Sequence, residues 1–285
     1  TSCCPTLALT NCDASQLPVE VSQLRLLDVR MKSVYEHSLE FTPNDSISGF
    51  DPIAIFCTSG STGDPKAVIL LHVNISNLCV ESGIKFETAL QFSPTGFDAS
   101  IFEVFATITT GGTLVMIGAH ERLSRRRLYS VIEESRATTV LLPAAFLRGI
   151  MDDVDQHDTF PQCVTHLQST GEKLHFTKGF TEFFRKRNIV LVNDCGPTEV
   201  HIATRYVVPP DEDDPFPSVG DPIPNVWVAT IYEGIEPMKL TQWGETGEVI
   251  VGGLGVGGGY VGNDELTREK FATIEINGTK HLTYK

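Results

Sequence analysis

The stretch from Phe56 to Lys66, FCTSGSTGDPK, concentrates hydroxyl, glycine and lysine residues in one short segment. Glycines let the backbone turn so that successive N–H groups converge on an anion, while hydroxyls add donors and a lysine adds positive charge. The residues that would contact the anion are Thr58, Ser59, Gly60, Ser61, Thr62, Gly63 and Lys66. These residue types predict a phosphate-binding loop, although the same composition is also typical of a polar hairpin turn with a solvated lysine.

The residues that flank this loop distinguish it from a Walker A loop. Pro65 precedes Lys66, and no Gly–Lys–Ser/Thr sequence closes the segment. The β-branched residues Val68 and Ile69 follow, which predicts a strand at the position where a P-loop has a helix. The expected arrangement is therefore a strand, a phosphate loop and a second strand.

Along the rest of the chain, short apolar runs alternate with segments of helical periodicity. Strands are predicted at residues 7–9, 24–29, 53–57, 67–71, 89–93, 114–117, 138–142, 167–169 and 189–193. Helices are predicted at residues 13–16, 73–84, 100–109, 124–136 and 176–187. This alternation predicts an α/β fold with a largely parallel sheet, in which ligands bind outside the carboxyl ends of the strands.

Prolines and acidic residues interrupt all periodicity at residues 208–217, which indicates a boundary. Beyond it, predicted strands at 227–232, 247–251 and 271–276 and frequent glycines indicate a small β-rich subdomain. A formal GxGxxG lies at residues 252–258, but turns follow it, and we reject dinucleotide binding. We expect a partial first α/β subdomain with the phosphate loop (1–88), a second α/β subdomain with the substrate pocket (89–207) and a partial β-barrel-like subdomain (208–285).

Composition excludes several classes of protein. A net charge of −14 argues against a nucleic-acid-binding surface, which needs a basic face. Seven cysteines without a CxxC pair predict neither a disulfide framework nor a structural zinc site, and they favour a cytoplasmic location. No apolar run approaches the roughly 18 residues of a membrane span. Because the chain begins without methionine, we expect it to be part of a larger protein.

Four segments, in order along the chain, carry a resemblance to one family: TSGSTGDPK (58–66), FDAS (97–100), NDCGPTEV (193–200) and GEVIVGGLGVGGGY (247–260). They resemble motifs of the adenylate-forming enzymes, which include acyl-CoA synthetases, luciferases and the adenylation domains of nonribosomal peptide synthetases. The final LTYK resembles the start of that family's Y(R/K)TGD motif. The chain is most similar to an amino-acid adenylation domain that is incomplete at both ends. The implied fold is a set of stacked α/β subdomains with a small β-rich subdomain.

The resemblance implies a reaction in which an amino acid and ATP give aminoacyl-AMP and pyrophosphate. The phosphopantetheine thiol of a carrier protein would then accept the aminoacyl group. ATP and Mg²⁺ are the implied cofactors, and a carrier domain and neighbouring synthetase domains are the implied partners. Glu199 would bind Mg²⁺, Thr198 would bind a phosphate, and Lys66 would assist catalysis. Further residues implied for ATP binding are Gly171, Asn193 and Cys195.

The family aligns eight positions of this chain with its substrate pocket: Asp98, Ala99, Phe102, Leu141, Gln168, Asp194, Ile202 and Ala203. Asp98 would pair with the substrate ammonium, although an aspartate just before a helix is also typical of an N-cap. A buried Asp194 needs a donor or a cation, which predicts a medium-sized amino acid with polar or basic character. Alternatively, Asp194 accepts a hydrogen bond from a backbone N–H.

Two positions depart from the family pattern. Ala67 stands where glycine is usual, and Cys195 stands where a tyrosine stacks on adenine, which predicts weaker adenine binding. We also expect the family's C-terminal domain, with its adenylation lysine, to lie outside this chain, so that the chain alone is inactive. Two other functions stay open. One is an acyl- or aryl-CoA ligase, whose substrate gives Asp98 no ammonium partner, and the other is a non-catalytic remnant that binds nucleotide or a partner.

Overall fold

The computed structural model describes residues 7–10, 25–28, 46–58, 65–81, 83–84, 86–151, 159–176, 178–235 and 237–285. By contacts, the chain divides into two compact units, Thr1–Ser48 and Gly49–Lys285. The helix predicted at 13–16 lies outside the described residues, as do the loop residues Ser59, Gly60, Ser61, Thr62 and Gly63. In the first unit, β1 (Leu7–Thr10) and β2 (Arg25–Asp28) pair in parallel, at the two positions predicted for strands.

The second unit begins with the hairpin that holds the predicted phosphate loop. Strand β3 (Pro52–Thr58) and strand β4 (Lys66–Leu71) are antiparallel, and Thr58 lies opposite Lys66. The β-branched residues after Lys66 therefore form a strand, as expected. Helix α1 (His72–Glu81) follows directly, and the side chain of Asn74 in its first turn accepts a hydrogen bond from Leu71 N at 2.7 Å.

A seven-stranded sheet forms the centre of this unit, in the order β11-β10-β9-β8-β7-β5-β6. Its strands are β5 (Thr88–Gln91), β6 (Thr113–Met116), β7 (Thr139–Leu141), β8 (His166–Ser169), β9 (Val190–Cys195), β10 (Thr204–Val208) and β11 (Asp221–Pro222). Strands β5 to β9 are parallel, whereas β10 and β11 are antiparallel to their neighbours. The predicted parallel strands are confirmed, and β10 was not predicted.

The helices that connect these strands are α2 (Ala99–Thr109), α3 (Ala119–Arg122), α4 (Arg125–Ser135), α5 (Ala144–Met151) and α6 (Lys178–Arg187). Asp98 caps α2 and Ser124 caps α4, as their positions before apolar periodic segments predict. Helix α5, which follows Pro143, was not predicted.

The central sheet buries both of its faces. Alternate residues of one strand enter different cores: Leu90 packs with α4, α5 and α6, and its neighbour Ala89 packs with α1 and α2. In the same way, Leu141 at the end of β7 packs in the core with Ala89, and Leu142 after it packs in the core with Leu90. A sheet covered on both faces is typical of parallel α/β folds, and it leaves the strand ends as the places where a ligand can reach the backbone.

The C-terminal part forms a four-stranded antiparallel sheet in the order β12-β13-β15-β14. Its elements are β12 (Val226–Ile231), β13 (Glu248–Gly253), α7 (Asp264–Lys270), β14 (Phe271–Ile276) and β15 (Thr279–Tyr284). The small β-rich part and three of its strands are confirmed, and β15 was not predicted. The subdomain boundaries at 88 and 207 stay a prediction. No helix in the described ranges is long and apolar enough to cross a membrane.

Candidate active site

A cavity of about 460 Å³ opens at the carboxyl ends of the parallel strands. Its walls come from the segments that follow β5, β7, β8 and β9, and from the first turn of α2. Strand β5 has β6 on one side and β7 on the other, so the chain reverses its direction across the sheet at this point. Such a switch point is where open α/β sheets bind ligands.

The cavity brings together predicted residues from two motifs that are about a hundred residues apart. Of the predicted substrate residues, those that line it are Asp98, Ala99, Phe102, Leu141 and Ile202. Thr198 and Gly171, predicted to bind ATP, line the same cavity. The predicted residues Gln168, Asp194 and Ala203 are buried but are not part of its lining.

Asp98 is the N-cap of α2, one of its two predicted roles, and its pairing with a substrate ammonium stays a prediction. Its Oδ1 accepts a hydrogen bond from Ala99 N at 2.8 Å and so caps α2. The same half-buried residue lines the cavity beside the apolar side chain of Phe102. The N-cap places the carboxylate at the start of a helix, where the macrodipole stabilises negative charge.

Asp194 does not face the cavity, because it forms a bidentate ion pair with Arg205 on the neighbouring strand. Arg205 Nε lies 2.7 Å from Asp194 Oδ1, and Arg205 Nη2 lies 3.0 Å from Asp194 Oδ2. The Asp194 side chain is 0% exposed and that of Arg205 is 12% exposed. Burial raises the pKa of Asp194, and the hydrogen bonds from Arg205 oppose that shift. The cation that a buried Asp194 requires is therefore supplied by this chain, which removes the reason for expecting a polar or basic substrate.

A second hollow of about 330 Å³ lies beside the cavity and shares Gly171 with it. Asn193 and Cys195, two of the residues predicted to bind ATP, contribute to this hollow, as does Asp194. Asn193 donates from Nδ2 to the carbonyl of Ser218 at 2.9 Å, while Cys195 is exposed. Burial of part of the thiol raises the pKa of Cys195, and the charge of Asp194 adds to that shift.

Glu199 and Lys66 both lie near Tyr260. The buried Glu199 accepts a hydrogen bond from the Tyr260 hydroxyl at 2.7 Å. Lys66 Nζ lies 5.8 Å from the centroid of the same ring. Burial raises the pKa of Tyr260, and the hydrogen bond to Glu199 raises it further, so the hydroxyl keeps its proton. One tyrosine thus connects the predicted Mg²⁺ ligand with β4, the strand that follows the predicted phosphate loop.

The glycine-rich segment that precedes Tyr260 packs backbone against backbone. Gly257 N donates to the carbonyl of Glu199 at 2.9 Å, and Gly258 N donates to the carbonyl of Ile69 at 2.9 Å. A Cβ on Gly257 would lie 2.7 Å from Ile69 O and 2.9 Å from Glu199 O. Only glycine permits this approach without displacement of the backbone.

Glu103 in α2 holds the backbone that follows β5. Its carboxylate accepts hydrogen bonds from Ser93 N at 3.1 Å, Phe92 N at 3.3 Å and the Ser93 hydroxyl at 3.1 Å. Phe92 and Ser93 line the cavity, so Glu103 connects two of its walls. Burial raises the pKa of Glu103 to about 7.

The sequence interpretation missed four residues that shape the site: Glu103, His201, Arg205 and Tyr260. Signals for three of them were present. Glu103 is an acid within the apolar run SIFEVF, His201 follows the GPTE segment, and Tyr260 ends the glycine-rich segment. Arg205 carried no signal, because its partner became evident only when β9 paired with β10.

Comparison with known proteins shows what this chain is similar to. The sequence profile of the family described as AMP-binding enzyme matches residues 6–261. Gramicidin S synthase 2 from Brevibacillus brevis is 35% identical over 227 residues, which are 78% of this chain and 5% of the synthase. Tyrocidine synthase 2 from Brevibacillus parabrevis is 33% identical in an alignment of 274 residues that covers 90% of this chain and 8% of the synthase.

A similar solved structure is that of holo-PA1221, an NRPS protein containing adenylation and PCP domains bound to a vinylsulfonamide inhibitor. The two structures share a TM-score of 0.78 and 25% identity, over 98% of this chain and 47% of PA1221. The present chain thus corresponds to a small part of the two synthases and to about half of PA1221. Because the family profile extends over most of its length, this chain belongs to the AMP-binding enzyme family.

Proposed function

We propose that this chain is the core of an amino-acid adenylation domain. It joins an amino acid to the AMP part of ATP, releases pyrophosphate, and passes the aminoacyl group to the phosphopantetheine thiol of a carrier domain. The observation that carries this proposal is the cavity that combines the Asp98 carboxylate with Thr198, next to Glu199. Similarity to two peptide synthases and to a structure with a PCP domain supports the carrier and the neighbouring synthetase domains as partners.

The amino acid binds with its ammonium at Asp98, in a charge-assisted hydrogen bond. Its carboxylate is directed toward Thr198, which lines the same cavity. Apolar side chains, including Phe102, Leu141 and Ile202, surround the space left for the substrate side chain. Since Arg205 neutralises Asp194, these walls favour a medium-sized apolar or aromatic amino acid over a basic one.

ATP binds with its adenine in the hollow at Gly171, Asn193 and Cys195, and with its phosphates toward Thr198 and the phosphate loop. Thr58 and Lys66 mark the two ends of that loop. The substrate carboxylate attacks the α-phosphorus, and the electron pair of the breaking P–O bond leaves with pyrophosphate. The residues of the chain accelerate this step by positioning the reactants and by stabilising phosphate charge.

The acidic residues of this site fit a single Mg²⁺ ion that is bound mainly through phosphates. In the part of the chain that the structure describes, no group of three or more His, Cys, Asp and Glu residues could hold a metal ion. Mg²⁺ commonly binds through one carboxylate, several waters and the phosphates of a substrate. We assign this role to Glu199, whose carboxylate is held by the Tyr260 hydroxyl, and the ion would neutralise charge on the phosphate oxygens.

Binding of stable adenylate analogues tests the proposal without requiring turnover by the chain alone. The probes are sulfamoyladenosines that carry valine, leucine, phenylalanine or lysine, each compared with the same acid lacking the α-amino group. Calorimetry measures the affinity of each probe. We expect an apolar aminoacyl probe to bind more tightly than its deaminated counterpart. Preference for the lysyl probe would contradict the apolar pocket. Equal affinity for both members of a pair would favour an acyl- or aryl-CoA ligase.

The variant Asp98→Asn tests the ammonium site, because asparagine keeps the N-cap and removes the charge. We expect it to lose about 10- to 100-fold in affinity for the aminoacyl probe, and little for the deaminated probe. Asp221→Asn, at an exposed aspartate in β11, is the matched control. Binding of ATP and Mg²⁺, together with probes that gain no affinity from either an aminoacyl or a deaminated acyl group, would instead identify a non-catalytic nucleotide-binding domain.

A further inference from the structure

His201 joins two segments that line the cavity, the one after β9 and the start of α2. It lies two residues after Glu199, and its Nε2 is 3.0 Å from the backbone carbonyl of Asp98. Its ring meets that of Phe102 edge to face, with centroids 6.2 Å apart. The side chain therefore contacts Asp98, which caps α2, and Phe102, which lies one turn further along that helix. Both residues line the cavity.

The geometry determines which nitrogen of His201 carries a proton. A carbonyl oxygen only accepts, so Nε2 must be the donor in the bond to Asp98. The same carbonyl accepts a hydrogen bond from Ile101 N in the first turn of α2, at 3.0 Å, so both of its acceptor sites are used. Nδ1 is buried and has no hydrogen-bond partner among the described residues.

The backbone at His201 is held in an uncommon conformation. Its φ of +57° lies in the left-handed region, which non-glycine residues rarely adopt. The residue is only 6% exposed, so neighbouring groups surround its side chain. Strain of this kind persists where surrounding contacts determine the position of a side chain, and it concentrates at functional sites.

We propose that His201 is a positioning residue for amino-acid recognition, which holds Asp98 at the orientation that receives the substrate ammonium. The inference rests on the proposed function, because it assigns to His201 the support of the ammonium site. His201 donates to the Asp98 carbonyl from outside α2, and its ring restrains Phe102. Without these contacts, the first turn of α2 can rotate and carry the Asp98 carboxylate away from the ammonium. ATP, which binds on the other side of Thr198, does not depend on this contact.

The test uses two substitutions that separate the hydrogen bond from the ring. His201→Phe keeps an aromatic ring against Phe102 and removes the donor. His201→Gln loses the ring but can place an amide N–H near the position of Nε2. His120→Phe, at an exposed histidine in α3, is the matched control. Each variant is titrated by calorimetry with the aminoacyl sulfamoyladenosine that the unaltered chain binds best, and with its deaminated counterpart.

We expect His201→Phe to bind the aminoacyl probe about 3- to 10-fold more weakly, the value of one hydrogen bond, with the deaminated probe unchanged. His201→Gln should recover most of the affinity for the aminoacyl probe, and His120→Phe should match the unaltered chain. Equal losses for both probes would show a general structural role and would overturn the proposal, as would unchanged binding. If His201→Phe does not fold, the test relies on His201→Gln. The proposal is then overturned if His201→Gln loses the preference for the aminoacyl probe.

The outcomes separate this inference from the function on which it rests. If the unaltered chain shows no preference for any aminoacyl probe, the proposed function is wrong, whatever the variants do. If the unaltered chain prefers an aminoacyl probe and His201→Phe retains the full preference, the function stands. In that case the role assigned to His201 is wrong.

Discussion

Replacement of Arg205 by methionine should destabilise this protein strongly, because it leaves Asp194 buried without a cation. Asp194 is 0% exposed, and both of its carboxylate oxygens accept hydrogen bonds from Arg205. Methionine replaces the aliphatic part of the arginine but offers no donor. Removal of one partner of a buried ion pair typically costs about 3–5 kcal/mol of the free energy of unfolding.

The expected loss depends on pH in a direction that follows from the pKa of Asp194. Burial raises this pKa, and Arg205 opposes the shift. In the variant, the pKa of Asp194 in the folded state therefore rises further above its value in the unfolded state. Its folded state takes up a proton as the pH falls, so the deficit relative to the unaltered chain should shrink in acid and be greatest near neutral pH.

Urea unfolding monitored by circular dichroism at several pH values measures this effect. The matched control is Lys186→Met, since Lys186 Nζ lies 2.9 Å from Glu182 Oε1 in a pair that is largely exposed. Exposed pairs contribute little, and we expect no measurable loss in the control. The double variant Asp194→Leu with Arg205→Met should recover most of the stability, because no buried charge remains. A loss in Arg205→Met as small as in Lys186→Met would refute the reasoning.

Three further predictions concern neighbouring parts of the site. The free energy of unfolding of the unaltered chain should decrease as the pH rises from about 4.5 to 7, because the raised pKa of about 7 favours a protonated Glu103 carboxyl in the folded state. Glu103→Gln should remove this decrease, and parallel pH profiles of stability for the two proteins would contradict the prediction. Gly257→Ala should lower the free energy of unfolding by about 1–3 kcal/mol in urea, because the new Cβ would meet the backbone of Ile69. Gly96→Ala is the control, because its Cβ would meet nothing within 4 Å, and equal losses in the two variants would contradict the packing argument. Cys195→Tyr should tighten ATP binding in calorimetry by adding ring area for adenine, and an unchanged affinity would place adenine elsewhere.

Local sequence features predicted the elements that carry the motifs. The β-branched residues after Lys66 determine a strand, and they form β4 opposite β3. Asp98 and Ser124 precede apolar periodic segments, and both cap the helices that follow. These features depend on neighbours within a few residues, and so a single sequence contains the information that they require.

Elements and contacts that depend on distant partners were not predicted. Strand β10 lies between the GPTE segment and a run of prolines and acidic residues, and its residues form a strand because they pair with β9. That antiparallel pairing places Arg205 opposite Asp194, which turned an expected substrate contact into an internal ion pair. The sequence identified Asp194 as a buried acid, but its partner depended on the register of two strands.

The glycine-rich run at residues 252–258 shows how a site can be positioned by an element that does not line it. In sequence it contains a formal dinucleotide-binding pattern, which was rejected because turns follow it. In the structure, Gly257 binds the backbone carbonyl of Glu199 and Tyr260 binds its carboxylate. Both the main chain and the side chain of the proposed Mg²⁺ ligand are therefore held by one segment of the β-rich part. The same segment also contacts β4, the strand that leaves the phosphate loop. A displacement of this segment would thus move Glu199 and β4 together.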